Sequence, residues 1–224
     1  GGIGQHFAHM IEESRRDARL AGYLCPQPKD DDPFGMSLPV PGWLSWAVRY
    51  TPLRFSPSWQ SHVVNDAYDR RVAATIQKLQ SSDGFAHVPQ AVMGFVGKSL
   101  RSFRAARRAG IEQTELVAAN SHVENVARLH TRAAADSGLR DSWLNRAQIR
   151  KTLREYALAD QIYVHSEYVR QSFLDAGIPA AKLVRTVLHP DPRFVPPQRR
   201  PDDDTLRIVY VGRVEMTKGI ALLL

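Results

Sequence analysis

The apolar positions of this chain follow two periods, one typical of helices and one typical of short buried strands. From residue 84 onward, compact apolar runs alternate with stretches whose apolar residues recur every three or four positions. The runs predict strands and the periodic stretches predict helices. We predict strands near residues 84–88, 114–122, 162–164, 182–188 and 206–211, and helices near 64–79, 96–108, 149–156 and 167–176. This alternation predicts an α/β fold with a doubly wound parallel sheet.

The amino-terminal residues combine three glycines with the start of a helical pattern. Gly1, Gly2 and Gly4 predict a turn, and the apolar residues that follow predict a helix ending at Gly22. Such a turn lets the backbone approach a ligand, and the helix start presents N–H groups to an anion. A tight turn without any ligand explains the same residues equally well.

Residues 24–57 interrupt the regular pattern. Seven of the fourteen prolines fall here and no period persists, so we expect a long irregular insertion. Trp43, Trp46 and the nearby Trp59 argue against pure disorder. These tryptophans could stack on a sugar, lie at a membrane surface or pack locally against the protein.

The helix predicted near residues 96–108 carries a basic stripe. Arg101, Arg104 and Arg108 line up beside apolar residues of the same helix. Such a stripe is most often a solvated helix face. It also suits peripheral contact with an anionic membrane, which we keep as the alternative.

Composition narrows the partners without naming one. The 30 Lys and Arg residues exceed the 23 Asp and Glu residues, giving a net charge of +7 that favours anionic partners. The sequence has no helix-turn-helix, zinc or aromatic RNA-binding signature, so we expect no nucleic-acid partner. The single cysteine, Cys25, excludes a disulfide framework within the chain and suits a cytoplasmic location.

The stretch that begins at residue 206 carries the sharpest candidate chemistry. Residues 206–211 predict a buried strand that ends at Gly212, and a helix begins soon afterwards. Arg213 and Lys218 stand between the two, at the strand end where open α/β sheets hold ligands. A planar guanidinium, a mobile ammonium and the helix N–H groups together suit a diphosphate.

The segments that precede this stretch carry a family resemblance. An Ala159-Asp160 pair leads into a strand and then Ser166-Glu167, and a strand near residues 182–188 leads into a proline-rich connector. With the later Gly-Arg and Lys-Gly pairs, this order resembles glycosyltransferase family four, which has the GT-B fold. The match is good over the last third of the chain and loose over the rest. The family's Asn-Gly-Val-Asp turn is replaced here by residues 189–194, His-Pro-Asp-Pro-Arg-Phe.

The resemblance implies a two-domain arrangement. Residues 1–189 would form a Rossmann-like, acceptor-side domain that lacks its first strand, and residues 190–205 a linker. Residues 206–224 would supply the first strand and helix start of a second Rossmann-like domain, which binds the nucleotide sugar. Since the family's acidic donor-site residues would lie beyond Leu224, we expect this chain alone to be inactive or nearly so.

The resemblance also implies an activity. The protein would move a sugar from a nucleotide-diphosphate sugar to a sugar, lipid-linked or small-molecule acceptor, with retention at the sugar and without a metal or other cofactor. His122 would lie beside the transferred sugar, whereas Gly1, Gly2, Gly4 and the two cations after Gly212 would hold the donor. His87 competes with His122 because it also follows a predicted strand.

Two rival functions remain open. A glycosyltransferase-like domain could bind an acceptor, a lipid or a partner without catalysis. Another nucleotide-binding Rossmann enzyme would share the alternation of helix and strand. Against the second rival, the glycines at the start of the chain do not fit the dinucleotide fingerprint.

Overall fold

The fold is α/β and contains seven helices in the described part of the chain. The computed structural model describes residues 2–28, 31–81, 89–136, 144–187, 195 and 205–212. The helices are α1 Gly2–Arg16, α2 Gly42–Tyr50, α3 Pro57–Ser81, α4 Leu100–Arg108, α5 Val123–Asp136, α6 Arg146–Leu158 and α7 Glu167–Asp175, with short 3-10 helices at Pro52–Phe55 and Ala180–Lys182. The strands are β1 Tyr23–Cys25, β2 Gly35–Ser37, β3 Ala91–Phe95, β4 Gln113–Ala118, β5 Gln161–Val164 and β6 Leu183–Arg185.

A four-stranded parallel sheet organises the fold. Its strand order is β3-β4-β5-β6, and every neighbouring pair is parallel. The register pairs Leu116 with Ile162 and Ile162 with Leu183. Helices connect successive strands, as parallel pairing requires. The predicted α/β class with a parallel sheet is therefore confirmed, and the arrangement is consistent with a Rossmann-like fold.

The core lies between this sheet and the helices packed on it. Its largest buried members belong to β4, β5 and three helices, and each is fully buried or nearly so. They are Phe103, Leu116, Tyr156, Ile162, Val164 and Phe173. Burial of each such side chain is worth roughly 1.5–3 kcal/mol, so the sheet and helices α4, α6 and α7 stabilise one another.

β3 was not predicted from the sequence. The strand expected at residues 84–88 lies outside the described residues, and the structure has a strand at Ala91–Phe95 instead. Gly94 interrupts its apolar pattern because the chain packs too closely for a side chain there. A Cβ at Gly94 would lie 2.2 Å from Ser99 Oγ. Val96, expected in the next helix, lies in the turn before α4.

The stretch expected to be irregular contains a small folded unit. β1 and β2 pair in parallel, with Tyr23 opposite Gly35. The Asp32 carboxylate joins them to α1, since it accepts hydrogen bonds from the Tyr23 hydroxyl at 2.7 Å and from Arg15 at 2.7 Å. The expectation of an irregular insertion over 24–57 is therefore wrong in part. Three-residue strands are too short to produce a readable period.

The start of the chain is helical rather than turned. α1 already includes Gly2 and Gly4, so the expected glycine turn before the helix is not formed there; Gly1 lies outside the described residues. The helix ends at Arg16 rather than at Gly22. Ala18 takes the left-handed conformation near this end, with φ of 54°, a role usually filled by glycine or asparagine.

Residues 205–212 do not form the expected strand. Leu206 and Val211 are 85% and 90% exposed, and the segment is irregular. A strand forms only against a neighbouring strand, and none of the described strands pairs with this segment. An apolar run alone therefore did not decide its conformation.

The predicted basic stripe of α4 is partly engaged within the protein. Arg101 Nε lies 3.0 Å from Asp66 Oδ1 on α3. Arg104 and Arg108 remain exposed. Among the described residues, no helix has the length and apolarity needed to span a bilayer.

Candidate functional site at the carboxyl edge of the sheet

The carboxyl ends of the parallel strands bring the candidate residues to one edge. β4 is followed by Asn120, Ser121 and His122, and β5 by His165. The first turns of α1 reach the same edge, because the Phe7 ring contacts Phe95 at the end of β3, at 5.7 Å between centroids. Ligands of open α/β sheets bind at such edges.

His122 occupies the turn between β4 and α5. Its main-chain N–H donates to Ser172 Oγ on α7 at 2.9 Å, and its carbonyl accepts from the Val126 N–H at 3.0 Å. The imidazole packs against the Tyr156 and Phe173 rings at 5.0 and 5.3 Å between centroids. His122 is therefore held by its main chain and by its ring.

Burial lowers the pKa of His122, and the Glu124 carboxylate, 3.8 Å from Nδ1, opposes the shift only in part. The imidazole is consequently neutral near neutral pH. A neutral imidazole donates one hydrogen bond and accepts another. That chemistry suits a hydroxyl group better than a phosphate.

A groove beside His122 runs between α5 and α7. Its volume is about 410 Å³, and its lining includes Glu124, Asn125, Tyr168 and Gln171. Asn125 donates to the Tyr168 hydroxyl at 2.9 Å and so ties the two helices together. The lining offers an exposed aromatic ring, two amides, two carboxylates and the guanidinium of Arg128.

His6 and His165 form a second histidine pair at this edge. Their rings lie 4.5 Å apart between centroids, nearly perpendicular to each other. His6 Nε2 and both ring nitrogens of His165 are buried and have no hydrogen-bond partner among the residues that the structure describes. Burial lowers the pKa of both residues, and a neighbouring histidine lowers each pKa further: His9 acts on His6, and His6 acts on His165.

The amino end of α4 is occupied by a carboxylate from α6. Glu155 is fully buried and accepts hydrogen bonds from the main-chain N–H groups of Gly97, Ser99 and Leu100, at 2.5, 2.9 and 3.1 Å. Helix starts normally leave such groups free for an anion. Here a carboxyl group of the protein itself accepts these hydrogen bonds.

A second carboxylate completes this arrangement. Asp69 on α3 is fully buried and accepts from the N–H groups of Arg101 and Ser102, at 3.0 and 2.9 Å. Lys151 Nζ lies 2.8 Å from Asp69 Oδ2. The turn around Gly97 and the start of α4 are thus closed to an anionic ligand.

Asp66 extends the charged cluster toward the surface. Burial alone would raise the pKa of Asp66, but Arg101, Lys151 and Arg70 together outweigh that effect and lower the pKa to about 2. Asp66 therefore stays charged at neutral pH, and its ion pairs with Arg101 and Lys151, together with the Asp69–Lys151 pair, join α3, α4 and α6.

The sequence-predicted site residues divide into two groups. The structure brings His122 to the sheet edge and puts Gly2 and Gly4 in the first turn of α1. Gly1, His87, Arg213 and Lys218 lie outside the described residues. Among the described residues, no group of three or more His, Cys, Asp or Glu side chains is arranged to hold a metal ion.

Sequence reasoning missed the groups that meet only through the fold. The Asn125–Tyr168 bond joins residues 43 positions apart, and the Glu155–Ser99 bond joins residues 56 positions apart. One local signal was available, because a polar residue at an inward-facing position of a helix often has a buried partner. Glu155 is such a residue on α6.

Comparison of the chain with protein-family models, with curated proteins and with solved structures found no match.

Proposed function

We propose that the protein is a glycosyltransferase of the GT-B type, which moves a sugar from a nucleotide-diphosphate sugar to an acceptor. One observation carries the proposal: the buried, neutral imidazole of His122 at the carboxyl end of β4, beside a groove with sugar-compatible side chains. Neutral imidazoles, amides and carboxylates hydrogen-bond to hydroxyl groups, and an exposed tyrosine ring stacks on the apolar face of a sugar.

His122 would act by holding the transferred sugar. In the transfer, the bond between the anomeric carbon and the diphosphate oxygen breaks, the acceptor hydroxyl oxygen bonds to that carbon, and the hydroxyl proton passes to an oxygen of the departing diphosphate. A hydrogen bond from a fixed imidazole orients the sugar for this exchange. Retention at the anomeric carbon is part of the proposal.

The negative charge on the departing diphosphate needs separate stabilisation. We assign that task to Arg213 and Lys218, with the N–H groups at the start of α1 near Gly2 and Gly4 as further donors. The start of α4 is a poor alternative, because Glu155 and Asp69 already accept its N–H groups. No metal is required in this scheme.

The acceptor is proposed to be a sugar, a lipid-linked sugar or a small molecule that enters along the groove between α5 and α7. Nucleotide sugars are made in the cytoplasm, so we propose a cytoplasmic location with peripheral contact to the membrane surface. The domain arrangement proposed above, with residues 206–224 opening the donor-binding domain, belongs to the same scheme.

The test compares His122→Phe with His9→Phe in the protein that contains this chain. Phenylalanine can keep the ring contacts with Tyr156 and Phe173 but cannot hydrogen-bond to a sugar. We expect His122→Phe to lower transfer from labelled nucleotide sugars by at least about 100-fold with an unchanged melting temperature. His9 is exposed on α1, so its variant should transfer normally. Full transfer by His122→Phe would contradict the proposal.

Ligand binding separates the rivals. We expect a thermal shift with nucleoside diphosphates and none with NAD, and Arg213→Ala with Lys218→Ala should abolish it. Binding without any turnover would support the non-catalytic module. A shift with NAD alone would support another nucleotide-binding Rossmann enzyme.

A further inference from the structure

An exposed aromatic face runs along α2. Trp43, Trp46 and Tyr50 follow one another at the spacing that puts side chains on one side of a helix. They are 66%, 60% and 60% exposed. The Trp46 and Tyr50 rings lie 6.0 Å apart between centroids, so they form one surface. We call these three residues the aromatic face.

The rest of α2 is fixed to the protein. Leu44 on the opposite side is fully buried. The Thr51 hydroxyl donates to the Ala47 carbonyl at 2.6 Å and closes the helix. The Gln60 side chain donates to the Leu53 carbonyl at 2.8 Å and ties the following turn to α3. The aromatic face is therefore exposed while α2 itself is packed against the rest of the protein.

Cations accompany the exposed rings, and acidic residues are missing from this part of the sequence. The Arg49 guanidinium lies 5.6 Å from the centre of the Tyr50 ring, and the Arg54 guanidinium lies 4.4 Å from that of Phe55, which is 72% exposed. Residues 33–65 contain no Asp or Glu. The charge of this stretch is thus complementary to an anionic surface.

We propose that the aromatic face, together with Arg49, binds peripherally to an anionic lipid bilayer. Tryptophan and tyrosine rings settle at the level of the headgroups, and arginines meet the lipid phosphates. A sugar is a poorer occupant, because the stretch lacks the carboxylates that pair with hydroxyl groups. The inference deepens the peripheral membrane contact included in the proposed function by assigning it to α2. Because contact through α2 needs neither catalysis nor the groove at His122, a failure of glycosyl transfer would leave vesicle binding unchanged.

Vesicle binding tests the proposal directly. We expect the protein to float with vesicles of phosphatidylcholine and phosphatidylglycerol, and to bind pure phosphatidylcholine at least about tenfold more weakly. Trp43→Ala with Trp46→Ala should lower binding to the anionic vesicles by about tenfold or more. Trp59→Ala removes a partly exposed tryptophan of α3 instead and should bind as the unmodified protein does.

Charge-reversal variants separate a local contact of Arg49 with the bilayer from the effect of the protein's net charge. Arg49→Glu should weaken binding to the anionic vesicles severalfold. Added salt should also weaken binding of the unmodified protein, because it screens the attraction between arginine and lipid phosphate. Arg132→Glu makes the same charge change at an exposed position of α5 and should have a much smaller effect. Equal effects of the two reversals would show that net charge alone drives binding, and would overturn the proposal.

Two other results would also overturn it. In one, the double tryptophan variant binds anionic vesicles as tightly as the unmodified protein. In the other, sedimentation without vesicles shows that the unmodified protein is a dimer and the variant a monomer, while lipid binding is unchanged. A second copy of the chain would then be the occupant of the aromatic face. An unchanged melting temperature of the variant, expected because Leu44 still anchors α2, shows that folding is not the cause.

Discussion

The buried carboxylate of Glu155 accepts a hydrogen bond from the main-chain N–H of Ser99 at 2.9 Å, although the two residues are 56 positions apart. This contact fixes α6 to the start of α4. It also decides which helix ends remain available to an anionic ligand, because a carboxylate already fills this one.

Glu155 should give the protein a distinctive dependence of stability on pH. Burial is the largest influence and raises the pKa of Glu155 from 4.5 to about 7, with the main-chain hydrogen bonds opposing it. Between these values the folded state holds a proton that the unfolded chain has released. The stabilisation is complete below pH 4.5 and is lost as the pH rises through 7.

Replacing Glu155 by glutamine should remove that dependence. The unmodified protein should lose about 2–3 kcal/mol more of unfolding free energy than Glu155→Gln between about pH 5 and about pH 8. Denaturant titrations at both pH values measure this difference. Glu167→Gln, at an exposed carboxylate of α7, should behave as the unmodified protein does. Parallel pH profiles for Glu155→Gln and the unmodified protein would contradict the prediction.

The Asp69–Lys151 pair should show strong energetic coupling. Asp69→Asn leaves the buried ammonium of Lys151 without its closest counter-charge. Lys151→Met likewise leaves the buried carboxylate of Asp69 without its closest counter-charge. Each single change should cost about 3–5 kcal/mol of unfolding free energy. The double variant should cost about 2 kcal/mol or more less than the sum of the two.

A double-mutant cycle by chemical denaturation measures that coupling. Arg170→Met and Glu167→Gln change a comparison pair on α7 that is half-exposed on the arginine side and exposed on the glutamate side. For this pair we expect less than about 1 kcal/mol of coupling. Additive effects at Asp69 and Lys151 would show that the two charges do not stabilise each other.

Gly4→Ala separates a structural role of the glycine from a ligand-binding role. A Cβ at Gly4 would meet open space, and alanine is the better helix former by about 1 kcal/mol. We therefore expect equal or higher stability together with weaker binding of nucleoside diphosphate. Gly42→Ala at the start of α2 also adds a Cβ in open space, so it should raise stability without affecting the ligand. Unchanged affinity in Gly4→Ala would remove α1 from the donor site.

Ser166→Ala should destabilise α7 measurably. The Ser166 hydroxyl accepts a hydrogen bond from the Val169 N–H at 3.2 Å and caps the helix. Its loss should cost about 1 kcal/mol, measured by thermal or chemical denaturation. Ser166→Asp should restore the lost stability, since aspartate also caps helix starts. An unchanged stability of Ser166→Ala would show that the cap contributes nothing here.

The parts of the fold that local sequence determines were predictable. The helix expected near residues 167–176 and the strand expected near 162–164 agree with α7 and β5, where Ser166 caps the helix start and Gly177 follows the helix end with positive φ. Each depends on residues within a few positions of one another, such as a capping hydroxyl or a glycine with positive φ. Interactions of this kind can be predicted from the sequence because they do not depend on distant contacts.

The parts that depend on distant contacts were not predictable. β3 contains Gly94 because Ser99 packs against it, and no periodicity records that constraint. Residues 205–212 have the composition of a strand but lie exposed. At the site, the position of His122 after β4 was expected, whereas its aromatic neighbours and the His6–His165 contact come from other elements.

The hydrogen bond from the His122 N–H to Ser172 Oγ makes the position of the histidine depend on the position of α7. The groove has α5 on one wall and α7 on the other, so an occupant that separated the two helices would strain this bond together with the Asn125–Tyr168 bond. The main chain of His122 and the α7 wall of the groove are therefore coupled, because any shift of α7 would also shift the acceptor of the His122 N–H.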